Sequence, residues 1–428
     1  MHRVVITGIG WITPMGHAIE PVWKRLLNGE SGIAPTTVFD AHTFPTKIGA
    51  EVKDFTLDGK IPDQCKHQGA GRSTQFALAA LWQAWHGSGL AEKDLDLDRV
   101  GIYFASGEGS LDMDAFSAAA MLSWDSDKNQ IDTVKWAKIA SERMNVIREV
   151  EQEPNSALPH LAMLTGARGP SMNCLTACAA SAQAIGEATE ILRRGDADVM
   201  ISGGAHSMIH PFGVTGFNRL TALSTANDNP PAASRPFDNN RAGFVLGEGS
   251  GVVILETLEH AQKRGATILA EMVGYGSTAD AFRITDQHPD GAGAVVAMKE
   301  ALADAKLQPS EVDYINAHGT GTRENDGNET SAIKQVFGDH ARQIPISSVK
   351  SMMGHLIAAA GAVETICCVL ALRDQMLPPT MNLTNPDPEC DLDYVPNKAR
   401  PAKVNVIMSN KYGFGGQNDT IIVRKFAG

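Results

Sequence analysis

Residues 172–195 read MNCLTACAASAQAIGEATEILRRG, which puts Cys178 at the mouth of a helix whose first turns are nearly all Ala and Ser. Small residues let backbones approach closely, and the positive end of a helix macrodipole favours thiolate at such a position. The same residue can equally be a small buried hydrophobe, since free Cys is among the most buried residue types. A second stretch echoes the first. CAASAQAIGEATEILRRGD (178–196) and HLIAAAGAVETICCVLALRD (355–374) each start on a reactive side-chain type, Cys178 or His355, and run into a small-residue helix. Each carries a Glu nine residues on, Glu187 and Glu364, and each ends near Arg-Asp.

The echo extends further. VGIYFASGEGS (100–110) and VDYINAHGTGT (312–322) both join an apolar strand to Ala-x-Gly-x-Gly-Ser/Thr. Two similar halves are therefore expected, 1–266 and 267–428, the first enlarged by an insertion at about 111–165. The competing explanation is coincidence between two ordinary βα units. VVITGIG, DVMISGGA, GVVILE, EMVGYG and VNVIMSN are short apolar runs alternating with helices, the pattern of buried sheet strands. Two halves with buried sheets need helices on both faces and between them, so an α/β fold layered αβαβα is predicted. In the insertion, Val134, Ala137, Ile139, Met144, Ile147 and Val150 form a rough helical stripe. That stripe suits either a cap or dimer-contact element or a solvated surface helix.

Composition narrows the function classes. A chain of 428 residues with 43% apolar and 20% charged residues can bury a large core. Its net charge of −12, from 37 basic and 49 acidic side chains, argues against nucleic-acid or anionic-membrane partners. The N-terminal MHRVVITGIGWITPMG lacks a basic leader with an apolar core, and no run of ~18 apolar residues occurs, so a soluble cytoplasmic protein is expected. Cys65, Cys174, Cys178, Cys367, Cys368 and Cys390 show no disulfide-framework spacing, so reduced thiols are expected. Cys174 and Cys178 are C-x3-C with no Cys/His tetrad, and no metal is expected. GEGSG (247–251) lacks the lysine and strand-to-helix context of a phosphate loop.

The duplicated plan brings candidate chemistry together. His318 ends a strand in NAHGTGT (316–322), and His355 closes KSMMGH (350–355) where the second small-residue helix begins. Pseudo-twofold packing would join the two helix mouths, with His318 arriving from the neighbouring strand end. Lys350 lies five residues before His355. NKYGFGGQN (410–418) supplies a glycine-rich turn around Phe414, where backbone N–H groups could converge as an oxyanion hole needs; alone, such a stretch is only a turn.

At this point the chain resembles the elongating β-ketoacyl-acyl carrier protein synthases of the thiolase superfamily. The resemblance rests on VVITGIGWITPMG, TACAAS, GDADVMISGGA, ALSTANDNPPAASRPFD, GFVLGEGSG, NAHGTGT, VKSMMGHLIAAAGAVE, LPPTMNL and YGFGGQN, in that order over nearly the whole chain. The Cys-His-His set is similar to the elongating type, whereas the initiating type has Asn for the second histidine. The resemblance implies a thiolase-like five-layer sandwich. It implies that Cys178 attacks an acyl thioester, that the N–H groups of Cys178 and Phe414 form the oxyanion hole, and that His318 and His355 stabilise the enolate left when a malonyl thioester loses carbon dioxide.

The resemblance further implies that Lys350 orders the site in an ion-pair network with Glu329, which Glu364 could join. Thr320 and Thr322 would bind the phosphopantetheine arm, and Phe414 would gate the acyl pocket. The small residues after Cys178 would leave room for acyl chain and arm. The implied partners are acyl carrier protein and a second copy of the chain, with a heterodimer as the alternative; no cofactor is implied. Bland readings stand beside these: an ordinary buried ion pair for Lys350, turn residues for the threonines, core for Phe414.

Departures from the pattern matter as well. Glu108 occupies an acyl-pocket position that is usually apolar, where a carboxylate is costly unless paired, protonated or turned outward. Lys411, Tyr412 and Gln417 replace the more usual Ser, Phe and Thr, and only Lys66, Arg72, Arg219 and neighbours offer basic charge for an acidic carrier. Housekeeping fatty-acid synthesis and a type II polyketide or polyene pathway both fit. A non-catalytic chain-length partner would lack the nucleophile, and a thiolase using coenzyme A fits the histidine motifs less well.

Overall fold

The computed structural model describes residues 1–107 and 112–428. Ten strands carry the architecture: β1 Val4–Ile12, β2 Val100–Ser106, β3 Ser171–Cys174, β4 Val199–His206, β5 Gly249–Thr257, β6 Ala270–Ala279, β7 Tyr314–Asn316, β8 Ile346–Ser347, β9 Val406–Tyr412 and β10 Gln417–Arg424. The first five are ordered β3-β2-β4-β5-β1, and the second five repeat that order as β8-β7-β9-β10-β6. Directions repeat too: β2 is parallel to β3 and β4, as β7 is to β8 and β9, while β5 and β10 run antiparallel to both neighbours. The two sets meet where β1 pairs with β6, Val4 opposite Met272 and Ile6 opposite Ala270.

Five helices complete the layers: α1 Arg72–Gly87, α2 Ala180–Arg194, α3 Ala292–Ala305, α4 Arg323–Phe337 and α5 Ala360–Asp374. Helices α2 and α5 pack on each other and touch strands of both sets, so they form the middle layer. Helix α1 covers β1 and β5 from outside, and α3, backed by α4, covers β6 and β10. The duplicated five-layer α/β sandwich expected from the sequence is the fold found. No helix among the described residues is long and apolar enough to cross a membrane.

The middle layer explains the small-residue turns. Ala179, Ala180, Ser181 and Ala182 are wholly buried, and Ser181 Oγ accepts a hydrogen bond from Ala362 N–H of the facing helix at 2.9 Å. A Cβ on Gly361 would lie 2.5 Å from the Ala182 nitrogen, so glycine is demanded there by the crossing. The small side chains therefore serve helix–helix contact, which corrects the expectation that they leave room for substrate.

The internal alignment also needs correcting by one helical turn. Ala177 (φ 48°) and Ile357 (φ 44°) each start a 3-10 turn, Ala177–Ala179 and Ile357–Ala359, that leads into a 15-residue helix. Cys178 thus corresponds to Ala358, and His355 to Leu175. A slip of three residues is nearly one turn, so it keeps small residues on the same face and hides in the sequence.

In the insertion, the single stripe becomes two helices, Thr133–Arg143 and Val146–Val150, because Asn145 accepts from the N–H groups of Ile147 and Arg148 and caps the second. Val134, Val146 and Val150 are exposed, whereas Ile147 sets its Cγ2 against Gly69. Replacing Gly361 with Val should force the middle helices apart and cost about 1–3 kcal/mol, read as a lowered melting temperature; an unchanged melt would refute the close-approach requirement.

Candidate active site

Each reactive side chain is delivered by a different piece of this frame. Cys178 sits in the 3-10 turn before α2, just after the strained Ala177. His318 follows β7, and its loop is gripped by two carboxylates on α4. Glu329 accepts from the N–H groups of His318 and Gly319 at 2.8 Å each, while Asp326 accepts from Gly321 N–H at 3.1 Å and Phe237 N–H at 2.7 Å. His355 is clamped as a one-residue bridge beside Leu246: its N–H donates to Val245 O at 2.7 Å and its carbonyl accepts from Gly247 N–H at 2.9 Å. The GFVLGEGSG motif, no phosphate loop, is the rail that holds this histidine.

The three side chains converge. One sulfur or ring nitrogen from each of Cys178, His318 and His355 lies within 4.8 Å of the others, and all three residues are buried. The imidazoles meet edge to face with centroids 5.4 Å apart. Ile357 N–H donates to His355 Nδ1 at 3.2 Å, which leaves the ring proton on Nε2 and makes that nitrogen a donor rather than a metal ligand. These residues line a cavity of about 310 Å³ together with Thr320, Thr322 and Phe414.

Burial sets the resting charge states. It pushes the Cys178 thiol up to about 11, against the pull of Lys350 and of backbone N–H groups from Phe414 and Cys178 itself. The resting sulfur is therefore a thiol, which corrects the thiolate suggested by the helix mouth. Those same two N–H groups converge at the sulfur. Burial, reinforced by Lys350, holds both imidazoles well below the usual histidine range, so they are neutral near pH 7. Desolvation raises Glu329 to about 7.

In the ion-pair network around Lys350, Glu364 makes the direct contact and Glu329 acts at longer range. Lys350 Nζ lies 2.5 Å from Glu364 Oε1 and donates to the His318 carbonyl at 2.7 Å, and Glu329 anchors the His318 backbone. Lys411 and Asp326 complete the support and were missed as members. The acidic pair Asp326 and Glu329, one turn apart at the start of a helix after NAHGTGT, was a legible signal for loop anchoring. Thr322 Oγ1 caps α4 by accepting from Asn325 N–H and lies 3.0 Å from Thr320 Oγ1, so these threonines do serve the turn while facing the cavity. Arg72 bonds buried Glu248 and Lys66 bonds Asp63, whereas Arg219 is exposed beside cavity-lining Leu220. Glu108, expected at the acyl pocket, lies outside the described residues.

A buried thiol, two neutral imidazoles and converging N–H groups at the mouths of paired helices define a class of thiolase-fold acyl-transfer sites. The comparisons with known proteins specify which branch. Residues 1–261 match the family profile "Beta-ketoacyl synthase, N-terminal domain" and residues 269–384 match "Beta-ketoacyl synthase, C-terminal domain". The chain belongs to the β-ketoacyl synthase family. It is 43% identical over 423 residues, 99% of this chain and 98% of the relative, to "3-oxoacyl-[acyl-carrier-protein] synthase 2" of Coxiella burnetii. Two solved structures resemble it over 100% of both chains with TM-score 0.87. One is AntDE:AntF, a type II PKS acyl-carrier protein in complex with its ketosynthase bound to the hexaketide, at 34% identity. The other is the ishigamide ketosynthase/chain length factor, at 33%.

A Cβ on Gly413 would fall 2.8 Å from Thr176 O and 3.4 Å from Cys178 N. Gly413→Ala should therefore displace the turn that carries Cys178 and cut alkylation of Cys178 by about tenfold or more, with the melting temperature little changed; parental reactivity would show that this approach is not required.

Proposed function

We propose that the protein elongates acyl chains by decarboxylative Claisen condensation in fatty-acid synthesis, and that Cys178, His318 and His355 carry the chemistry. The convergence of these three groups in one cavity is the observation that carries the reading. The Cys178 sulfur attacks the acyl thioester, the carbonyl oxygen rests on the N–H groups of Cys178 and Phe414, and the carrier's thiol departs with the cysteine proton. A malonyl thioester then enters past Thr320 and Thr322, with Phe414 as the gate. Nε2–H donors of His355 and His318 hold its thioester oxygen while the bond to the carboxylate breaks and its electron pair becomes the enolate. The enolate carbon attacks the acyl carbonyl, the bond to Cys178 breaks, the released thiolate takes up a proton from solvent, and carbon dioxide and a β-ketoacyl product two carbons longer leave.

Acyl carrier protein is the proposed donor of both thioesters, and the exposed Arg323, which lines the cavity, and Arg219, next to cavity-lining Leu220, are the cations placed to meet its acidic surface. The halves divide at 266/267, and the work belongs in the cytoplasm. A homodimer is supported by the outer edge of β3, which pairs with no further strand among the described residues and carries exposed Met172, and by the exposed Met121, Trp124, Val134 and Val146 of the insertion. A second reading, a type II polyketide or polyene ketosynthase paired with a chain-length partner, is favoured by the likeness to two such ketosynthases and by the carboxylate at position 108.

Intact-mass analysis after incubation with a panel of acyl carriers tests the function. A mass gain equal to the acyl group, lost in Cys178→Ala, is the expected outcome, and the preferred chain separates the two readings; no adduct with any carrier would contradict both. Because both imidazoles are held below the ordinary histidine value, protonation should remove condensing activity only below about pH 6.5. An acid limb centred above that value in the pH profile would contradict the neutral-imidazole assignment.

A further inference from the structure

The cavity is backed by a buried charge cluster with one member too many. Glu364 lies between two lysines, Oε1 2.5 Å from Lys350 Nζ and Oε2 2.5 Å from Lys411 Nζ. Lys411 is wholly buried in β9, where its Nζ also donates to Asn316 Oδ1 at 3.0 Å, to Ser409 Oγ at 2.8 Å and to the Asn410 carbonyl at 2.8 Å. Two lysines thus share one carboxylate away from water, with Glu329 acting on Lys350 from the His318 side. A single lysine would neutralise Glu364, and an unneeded buried charge is destabilising. The family resemblance puts Ser at position 411, so the second lysine is a feature of this chain.

The cluster touches two walls of the cavity. Lys350 Nζ reaches the His318 carbonyl at 2.7 Å, and Lys411 stands three residues before Phe414 in the strand that ends at the oxyanion turn. We propose that Lys411 is a positioning residue: acting through Glu364 and Lys350, it keeps a positive field on the Cys178–His318–His355 cavity and favours the anions formed there. One anion is the Cys178 thiolate. The other is the enolate, and that part rests on the condensation reading. Besides these groups, Glu329 faces the cavity from behind His318, His206 stands behind His355, and Cys367 and Cys368 of α5 face Glu364 and Lys411. The lysines act on both imidazoles in the same sense, toward the neutral form.

The test uses the full chain with Lys411→Met, which keeps volume and removes charge, and Lys411→Ser as a second variant. The rate of Cys178 alkylation by iodoacetamide is followed by mass from about pH 7 to 9, and the histidine rings are titrated by NMR. The expected result is a log-rate line displaced upward in pH by about one unit, read as alkylation about tenfold slower, with His318 and His355 protonating at higher pH than in the parent. A folded variant whose alkylation and imidazole titrations coincide with the parent's would overturn the inference. So would loss of the fold in both variants, which would assign Lys411 to structure alone. Alkylation needs no turnover, so a parent chain that takes no acyl group would sink the proposed function while leaving this comparison readable.

Discussion

The close crossing of α2 and α5 is the constraint on which the rest depends. Two helices can share one buried layer between two sheets only if their facing residues are small, and here they are Ala, Ser and Gly, tied by the Ser181 to Ala362 hydrogen bond. That contact brings the two helix mouths together and sets Cys178 within reach of His318 and His355. Duplication is what makes the arrangement reachable, since each half supplies a strained turn at the same point, Ala177 and Ile357. Only one of these turns bears a thiol. The other is spent on framing, its N–H fixing the tautomer of His355.

The chemistry follows from how this pocket treats charge. Desolvation disfavours every ionised form inside it, so the thiol stays protonated and the imidazoles stay neutral at rest. A site of this kind holds donors ready for charge that appears only during reaction, which is where preorganised N–H groups contribute most. Lys350, Glu364 and Lys411 lie one layer behind, and Lys350 opposes the desolvation of the Cys178 sulfur. Glu329 and Asp326 do a quieter task, satisfying the backbone of the His318 loop so that it can be buried at all.

Much of this was legible in the sequence because it lies in local patterns. Strand runs, the repeated Ala-x-Gly-x-Gly stretches and the small-residue helices announce a duplicated α/β sandwich, and Cys178, His318 and His355 stand out in their motifs. What stayed hidden depends on three-dimensional partnership. The helix period conceals the one-turn slip that aligns Cys178 with Ala358. No spacing rule says that Lys350 chooses Glu364 over Glu329, or that Lys411, 47 residues from Glu364 in the chain, completes the cluster. The Ala and Ser residues after Cys178 suit substrate room and helix crossing equally well as letters; only the facing Gly361 decides between them. The insertion's stripe looked continuous because the capping bonds of Asn145 are not visible in periodicity.

The central claim is that one cavity divides its labour, with sulfur holding the acyl group and two imidazoles managing loss of carbon dioxide. Release of carbon dioxide from malonyl-acyl carrier protein by Cys178→Ala measures this directly. The account expects release to persist without the sulfur and to fall by about a hundredfold or more when either His318 or His355 is also replaced by Ala. Undiminished release after loss of both histidines would contradict it.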